Sequence, residues 1–210
     1  LLANYKTVKQ SGSHEIVIQK SRFISHFKRT PTEQEALDFI QEIKKNHWNA
    51  THNCSAYLIG ETDHIQKAND DGEPSGTAGV PMLEVLKKRG LKDTTVVVTR
   101  YFGGIKLGAG GLIRAYGGSV SEGLNQIGMV NRTLCYTMAT AIDYTWLGKI
   151  ENEIRQSSYP LKEITYADSV TVHVFVQSDQ INAYKDWITE LTNGQAETTQ
   201  GKSVYLETDA

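Results

Sequence analysis

With 210 residues, 39% of them apolar and 22% charged, the chain has the length and make-up of one large or two ordinary globular domains, which excludes a disordered tail. No window approaches the ~18 uninterrupted apolar residues of a membrane span, Leu1 to Asn4 lack the order of a secretion signal, and two cysteines, Cys54 and Cys135, are too few for a disulfide framework, so a reduced, cytoplasmic protein is expected. The net charge of -2 hides an asymmetry: residues 1–132 hold 17 Lys and Arg against 13 Asp and Glu, net +4, and residues 133–210 hold 5 against 11, net -6.

From Glu15 to Phe27 the stretch EIVIQKSRFISHF alternates loosely and is rich in Ile, Val and Phe, which predicts one or two strands bent near Lys20 and Ser21. A helix follows in TPTEQEALDFIQEIKKNHW. Thr30 with Glu33 spells a capping box, Pro31 takes the first helical position, and Ala36, Leu37, Ile40 and Ile43 recur at helical spacing. NCSAYLIG and HIQKA, separated by Glu61, Thr62 and Asp63, read as a hairpin. Pro81 through Lys88 reads as a helix stopped at Gly90. TTVVVTRYF reads as a buried strand, because three successive valines leave no polar face, and Leu112 to Ile127 as a second long helix.

Past Asn131 and Arg132 the rhythm changes. TLCYTMATAI is a strand, WLGKIENEIRQS a helix, KEITYA and SVTVHVFV a hairpin across Asp168, DQINAYKDWITELT a helix capped by Ser178, and GKSVYLE a last strand. That order, βαββαβ, is ferredoxin-like. The expected division is a basic domain over residues 1–132 and an acidic ferredoxin-like domain over 133–210.

Two dense motifs lie in the first domain. Between Thr99 and Gly118 seven of twenty residues are glycine, although each glycine inside a regular element costs about 0.5 to 1 kcal/mol relative to alanine. A strand, a glycine-rich turn holding Lys106, and a helix starting around Gly108, Gly110 and Gly111 would present free N–H groups to an anion, with Lys106 and Arg114 as charged donors. The spelling matches neither G-x-x-x-x-G-K-[ST] nor G-x-G-x-x-G, and close packing of helix on sheet is the favoured explanation of the glycines. The other motif, NDDGEPSGTAGVP, sets Asp70, Asp71 and Glu73 in a turn ahead of Ser75 and Thr77. Such carboxylates bind Mg²⁺, act as a base, or pair with Arg100 and the glycine loop to hold two segments together; pairing is favoured, since no second acid, nucleophile or ligand cluster accompanies them.

His52 and Cys54 share one face of a strand with Ala56 and Leu58, which makes Cys54 a core residue. An H-x-C pair is half a zinc site at most, and Cys135 lies in the other domain, so no metal is expected. Tyr101 and Phe102, flanked by Arg100 and Lys106, offer rings on which bases stack, or rings that simply pack at a strand end.

DDGEPSGTAGVP followed after a helix by VVVTRYFGGIKLGAGGLIRAYG resembles the signature of the YigZ/IMPACT family, and KSRF and HNC fit its weaker blocks; together these cover residues 15–125. The segment 133–210 is similar to the small domain that bacterial members carry behind the signature domain. The resemblance implies an α+β chain: an α/β sandwich of the ribosomal-protein S-five domain-two type, then a domain similar to the ferredoxin-like ones of elongation factor G. Both of those relatives act on ribosomal RNA or the ribosome. Eukaryotic family members restrain a stress-activated translation-initiation kinase by competing for its ribosome-associated activator, through an N-terminal domain that has no counterpart in this sequence. No enzymatic activity and no cofactor come with the family. Asp70, Asp71, Glu73, Ser75, Thr77, Arg100, Lys106 and Arg114 match signature positions; Tyr101, Gly108, Gly110 and Gly111 complete the candidate anion or nucleic-acid cleft.

Three readings follow. The first is a non-enzymatic protein that meets RNA or the ribosome through its basic domain and regulates translation, with fold analogy as an associational warrant. The second is an enzyme acting on a small phosphorylated molecule through the two glycine-rich loops. In the third the motifs are structural and the acidic domain docks a protein. His173 and Phe175 lie on that domain's third strand, but its net charge of -6 makes RNA contact there unfavourable.

Overall fold

The computed structural model describes residues 1–210 and divides into two compact units, one of Tyr5–Asn131 with Thr208–Ala210 and one of Leu1–Asn4 with Arg132–Glu207. The larger unit opens with β1 (Asn4–Val8), β2 (Gly12–Ile18), β3 (Ser21–Arg29) and α1 (Glu33–Asn46). It continues through β4 (His52–Ile59), β5 (Ile65–Asn69), α2 (Gly79–Lys88), β6 (Thr94–Tyr101) and α3 (Gly108–Ile127). Its sheet has the order β2-β3-β6-β4-β5, antiparallel throughout. β1, which sequence pattern did not single out, bridges Lys6 to Leu91 outside that order.

The valine run explains the layering. Val96 and Val98 point into a core shared with Met82, Leu86, Leu112, Val120 and Leu124 of α2 and α3. Val97 points the other way, onto Ala36, Phe39, Ile40 and Ile43 of α1. Helices therefore cover both faces of the central strand, and an alternating pattern would have buried polar groups. Each fully buried valine contributes about 1.5 to 3 kcal/mol. α3 approaches β3 closely at Gly123, where a Cβ would stand 2.5 Å from Phe27 Cε2 and 2.5 Å from Ser25 Oγ.

Two local features differ from the sequence expectation. The N-cap of α1 is Thr32: its hydroxyl accepts from the Glu35 N–H and donates to the Glu35 carboxylate, and Pro31 stands before the cap. Thr30 instead is buried, sharing a 2.6 Å hydrogen bond with Thr95. The sequence TPTEQE offers two threonines as the cap, and the long-range partner of Thr30 selects the second. The helix of the 79–88 region begins at Gly79, two residues before Pro81.

The smaller unit contains most of β7 (Met129–Ile142), then α4 (Leu147–Gln156), β8 (Leu161–Tyr166), β9 (Val170–Gln177), α5 (Ile181–Leu191) and β10 (Glu197–Asp209). The sheet is five-stranded, in the order β1-β7-β9-β8 with β10 also paired to β7, and the run β10-β7-β9-β8 within it is the ferredoxin-like one. Val170, Val172, Val174 and Val176 alternate inward onto Ile150, Ile154, Tyr184 and Ile188, while Thr171, His173 and Phe175 occupy the opposite, partly exposed face. The residue before α5 is Gln180, which makes no side-chain cap bond; Ser178 stands two residues further out. No helix is long and apolar enough to cross a membrane.

Candidate functional site

The acidic motif leaves β5 and enters α2 as a loop whose first carboxylate is consumed by backbone. Asp70 accepts hydrogen bonds from the N–H groups of Gly76 at 2.8 Å, Ala78 at 3.1 Å and Gly79 at 2.8 Å, so it satisfies donors at the start of α2. Burial pushes its carboxyl up, but the three N–H donors outweigh that and hold it below the usual carboxylate range. Asp71 turns away, taking Lys44 Nζ at 2.6 Å and the Asn53 N–H at 2.7 Å. Burial again opposes and those partners again prevail, keeping Asp71 ionised below the ordinary value. Its backbone carbonyl meets His52 Nδ1 at 2.8 Å, and Cys54 Sγ donates to the Asp70 carbonyl. Cys54 is in the core, and burial pushes its thiol up to about 12, which leaves it an unreactive thiol.

Glu73 is the carboxylate that faces β6. Its Oε1 accepts from Arg100 Nη1 at 2.6 Å and from the Tyr116 hydroxyl at 2.7 Å, and its Oε2 lies 3.7 Å from His52 Nε2. Strand pairing dictates this meeting: Arg100 is opposite both Phe23 of β3 and His52 of β4, so the three side chains share a face. The guanidinium lies 5.4 Å from the Phe23 ring centre and 5.5 Å from that of Phe102, and its Nε is buried without a partner.

These groups open onto a cleft of ≈ 390 Å³ lined by Thr51, His52, Glu73, Arg100, Phe102 and Lys106, and beyond them by Pro74, Leu107, Gly108, Ala109 and Leu112. The two motifs thus border one hollow. Leu107, at the start of α3, makes no side-chain cap bond, in contrast to the Asp70-capped start of α2. The first N–H groups of α3 are therefore left without an intrahelical or side-chain acceptor. Gly108, with φ of 71°, lets the chain turn into the helix there. Lys106 and Arg114 are exposed and make no ion pair.

The remaining candidates lie around this centre in unequal ways. Gly108 lines the cleft, and Gly110 and Gly111 follow it in the first turn of α3. Ser75 is exposed, and Thr77 is buried with its hydroxyl on the Pro74 carbonyl. Asp70 and Asp71 stand behind the wall and brace it. Tyr101, next to Arg100 on a strand, must face the other way, where its hydroxyl meets His47 Nδ1 at 2.8 Å and its ring carries Arg22. Thr51 and Leu107 in the wall carried no sequence signal. Phe102, singled out in the sequence with Tyr101 as a ring on which a base could stack, lines the cleft, whereas Tyr101 does not.

Comparison with known proteins finds two family matches in the chain. Residues 19–124 match the family described as the Impact N-terminal domain, and residues 140–195 match a domain of unknown function, DUF1949. The chain is similar to IMPACT family member YvyE of Bacillus subtilis, with 69% identity covering 99% of this chain and 95% of that one. It is similar to IMPACT family member YigZ of Escherichia coli, with 34% identity covering 84% and 88% of the two chains. A solved structure described as that of a hypothetical protein superposes with a TM-score of 0.62 at 29% identity, covering 96% of this chain and 98% of the other.

Proposed function

The chain belongs to the IMPACT family, and on that premise we propose that the cleft of its larger unit binds the phosphate backbone of RNA, free or in the ribosome. The protein then acts in the cytoplasm without catalysis, as a regulator of translation. One observation carries this reading: exposed Lys106, which makes no ion pair, and the uncapped start of α3 belong to the same hollow. Both are donors with positive character, and a phosphate oxygen is the acceptor that suits both. The net charge of +4 over residues 1–132 supports attraction of a polyanion to this unit.

Glu73 shapes the chemistry by what it neutralises. It pairs with the innermost cation, Arg100, so the free positive charge lies at the mouth, on Lys106, where a polymer backbone can pass. Titrating oligoribonucleotide across a salt series tests the proposal; binding that weakens with salt, and less steeply in Lys106→Ala, supports it. The proximity of His52 to Glu73 favours a second reading, an enzyme acting on a small phosphorylated molecule, and stabilisation by a mononucleotide in a thermal-shift panel would support that reading instead.

A further inference from the structure

The turn between β2 and β3 has two residues, Gln19 and Lys20, both at positive φ, 44° and 67°. A two-residue hairpin turn with both centres left-handed is the type that asparagine and glycine occupy most easily, and side-chain-bearing residues hold it under strain. Lys20 is exposed and has no ion-pair partner. Its backbone abuts the loop that carries Lys106: a Cβ on Gly103 would stand 2.1 Å from the Lys20 carbonyl, and the Gly103 N–H donates to Ser21 Oγ at 3.1 Å. On the other side of Gly103 in sequence, Phe102 is 47% exposed, with the Arg100 guanidinium 5.5 Å from its ring centre. Gly103 thus locks together a cationic turn, an exposed aromatic ring and the lysine-bearing lip of the cleft.

From this juxtaposition we infer that the ligand is a single strand, with one base stacked on Phe102 and a second phosphate held by Lys20 after the first has entered the cleft. The inference rests on the RNA-binding reading and specifies its substrate class. A base inside a duplex has both faces covered by its neighbours, so a ring that stacks selects an unpaired nucleotide. Arg100 packs against the ring in a cation–π contact, and its pairing with Glu73 keeps that guanidinium from competing for phosphate. Lys20 continues the positive track beyond Gly103, which accounts for a lysine in a strained turn where glycine would be easier.

The test uses the full chain with three probes: oligouridylate, an RNA duplex of equal length, and inorganic polyphosphate, which has the charge and no bases. Oligouridylate is expected to bind better than the duplex. Lys20→Gly, which suits the left-handed turn and so preserves folding, is expected to lower the slope of log affinity against log salt by about 0.7, one single-strand phosphate. Phe102→Ala is expected to weaken oligouridylate about fivefold or more, with the slope and polyphosphate binding unchanged. If oligouridylate binds with a Lys106-dependent slope while both variants behave like the parent, or if the duplex binds equally well, the single-strand inference falls and the cleft reading stands. Equal loss of polyphosphate and oligouridylate in Phe102→Ala also overturns the stacking role. Absence of binding to all three probes overturns both.

Discussion

The carboxylate of Glu73 meets the guanidinium of Arg100 at 2.6 Å with 3% and 6% of the two side chains exposed, which makes the pair the buried ionic link between the acidic motif and the central strand. Removing one partner strands the other charge in a dry site. Arg100→Leu is expected to destabilise the fold by about 3 to 5 kcal/mol. Tyr116→Phe, which deletes only one hydrogen bond to the carboxylate, is expected to cost about 1.5 to 3 kcal/mol. Urea unfolding of the two variants measures both, and a loss under about 1 kcal/mol for Arg100→Leu would show that the pair is solvated.

Asp70 and His26 place the acid sensitivity in two separate ranges. Burial, with the neighbouring His47 adding to it, pushes His26 from 6.5 down to about 4. A base whose folded value is lowered favours the fold above its unfolded value, and that stability is lost as pH falls through the range from 6.5 to about 4. Asp70 is held low in the fold, so its contribution is present above the unfolded value of about 3.9 and disappears as pH drops below it. His26→Gln is expected to flatten the upper part of the stability profile, and Asp70→Asn the lower part. Chemical denaturation at a series of pH values reads both; one common change in slope for the two variants contradicts the assignment.

Within α3, two glycines are expected to respond in opposite senses to alanine. Gly118 has no atom within 4 Å of its built Cβ, so Gly118→Ala is expected to stabilise by about 0.5 to 1 kcal/mol through helix propensity. At Gly123 the new methyl meets Phe27 and Ser25, and overpacking is expected to cost about 1 to 3 kcal/mol. Thermal melts of the two variants decide the matter. A stabilising Gly123→Ala would mean that α3 does not approach β3 as closely as described.

How much of this was legible in sequence depends on the range of the interaction that decides each feature. The valine run gave β6 and its burial, because two-sided covering is written in consecutive apolar residues. The alternation of β9 marks the covered and open faces of the second sheet, although from sequence it is taken only as a strand. Thr30 and Thr32 could not be told apart locally, since a hydroxyl 65 positions away in the chain settles the cap. Asp70, Asp71 and Glu73 look alike on paper; backbone N–H groups, Lys44 and Arg100 assign them three different roles. Tyr101 is a case where more was readable: strand parity alone sends it to the face opposite Arg100. The closeness of Lys20 to Gly103 lay out of reach, because it joins positions of two different strand ends.

The central claim, that the cleft holds an RNA phosphate through Lys106, is tested most directly by fluorescence anisotropy of labelled oligouridylate titrated with parent and Lys106→Ala at several salt concentrations. The account predicts binding by the parent at low salt and a slope of log affinity against log salt that is shallower by about 0.7 in the variant. Superimposable salt dependences, or no binding by the parent at the lowest salt, would contradict it.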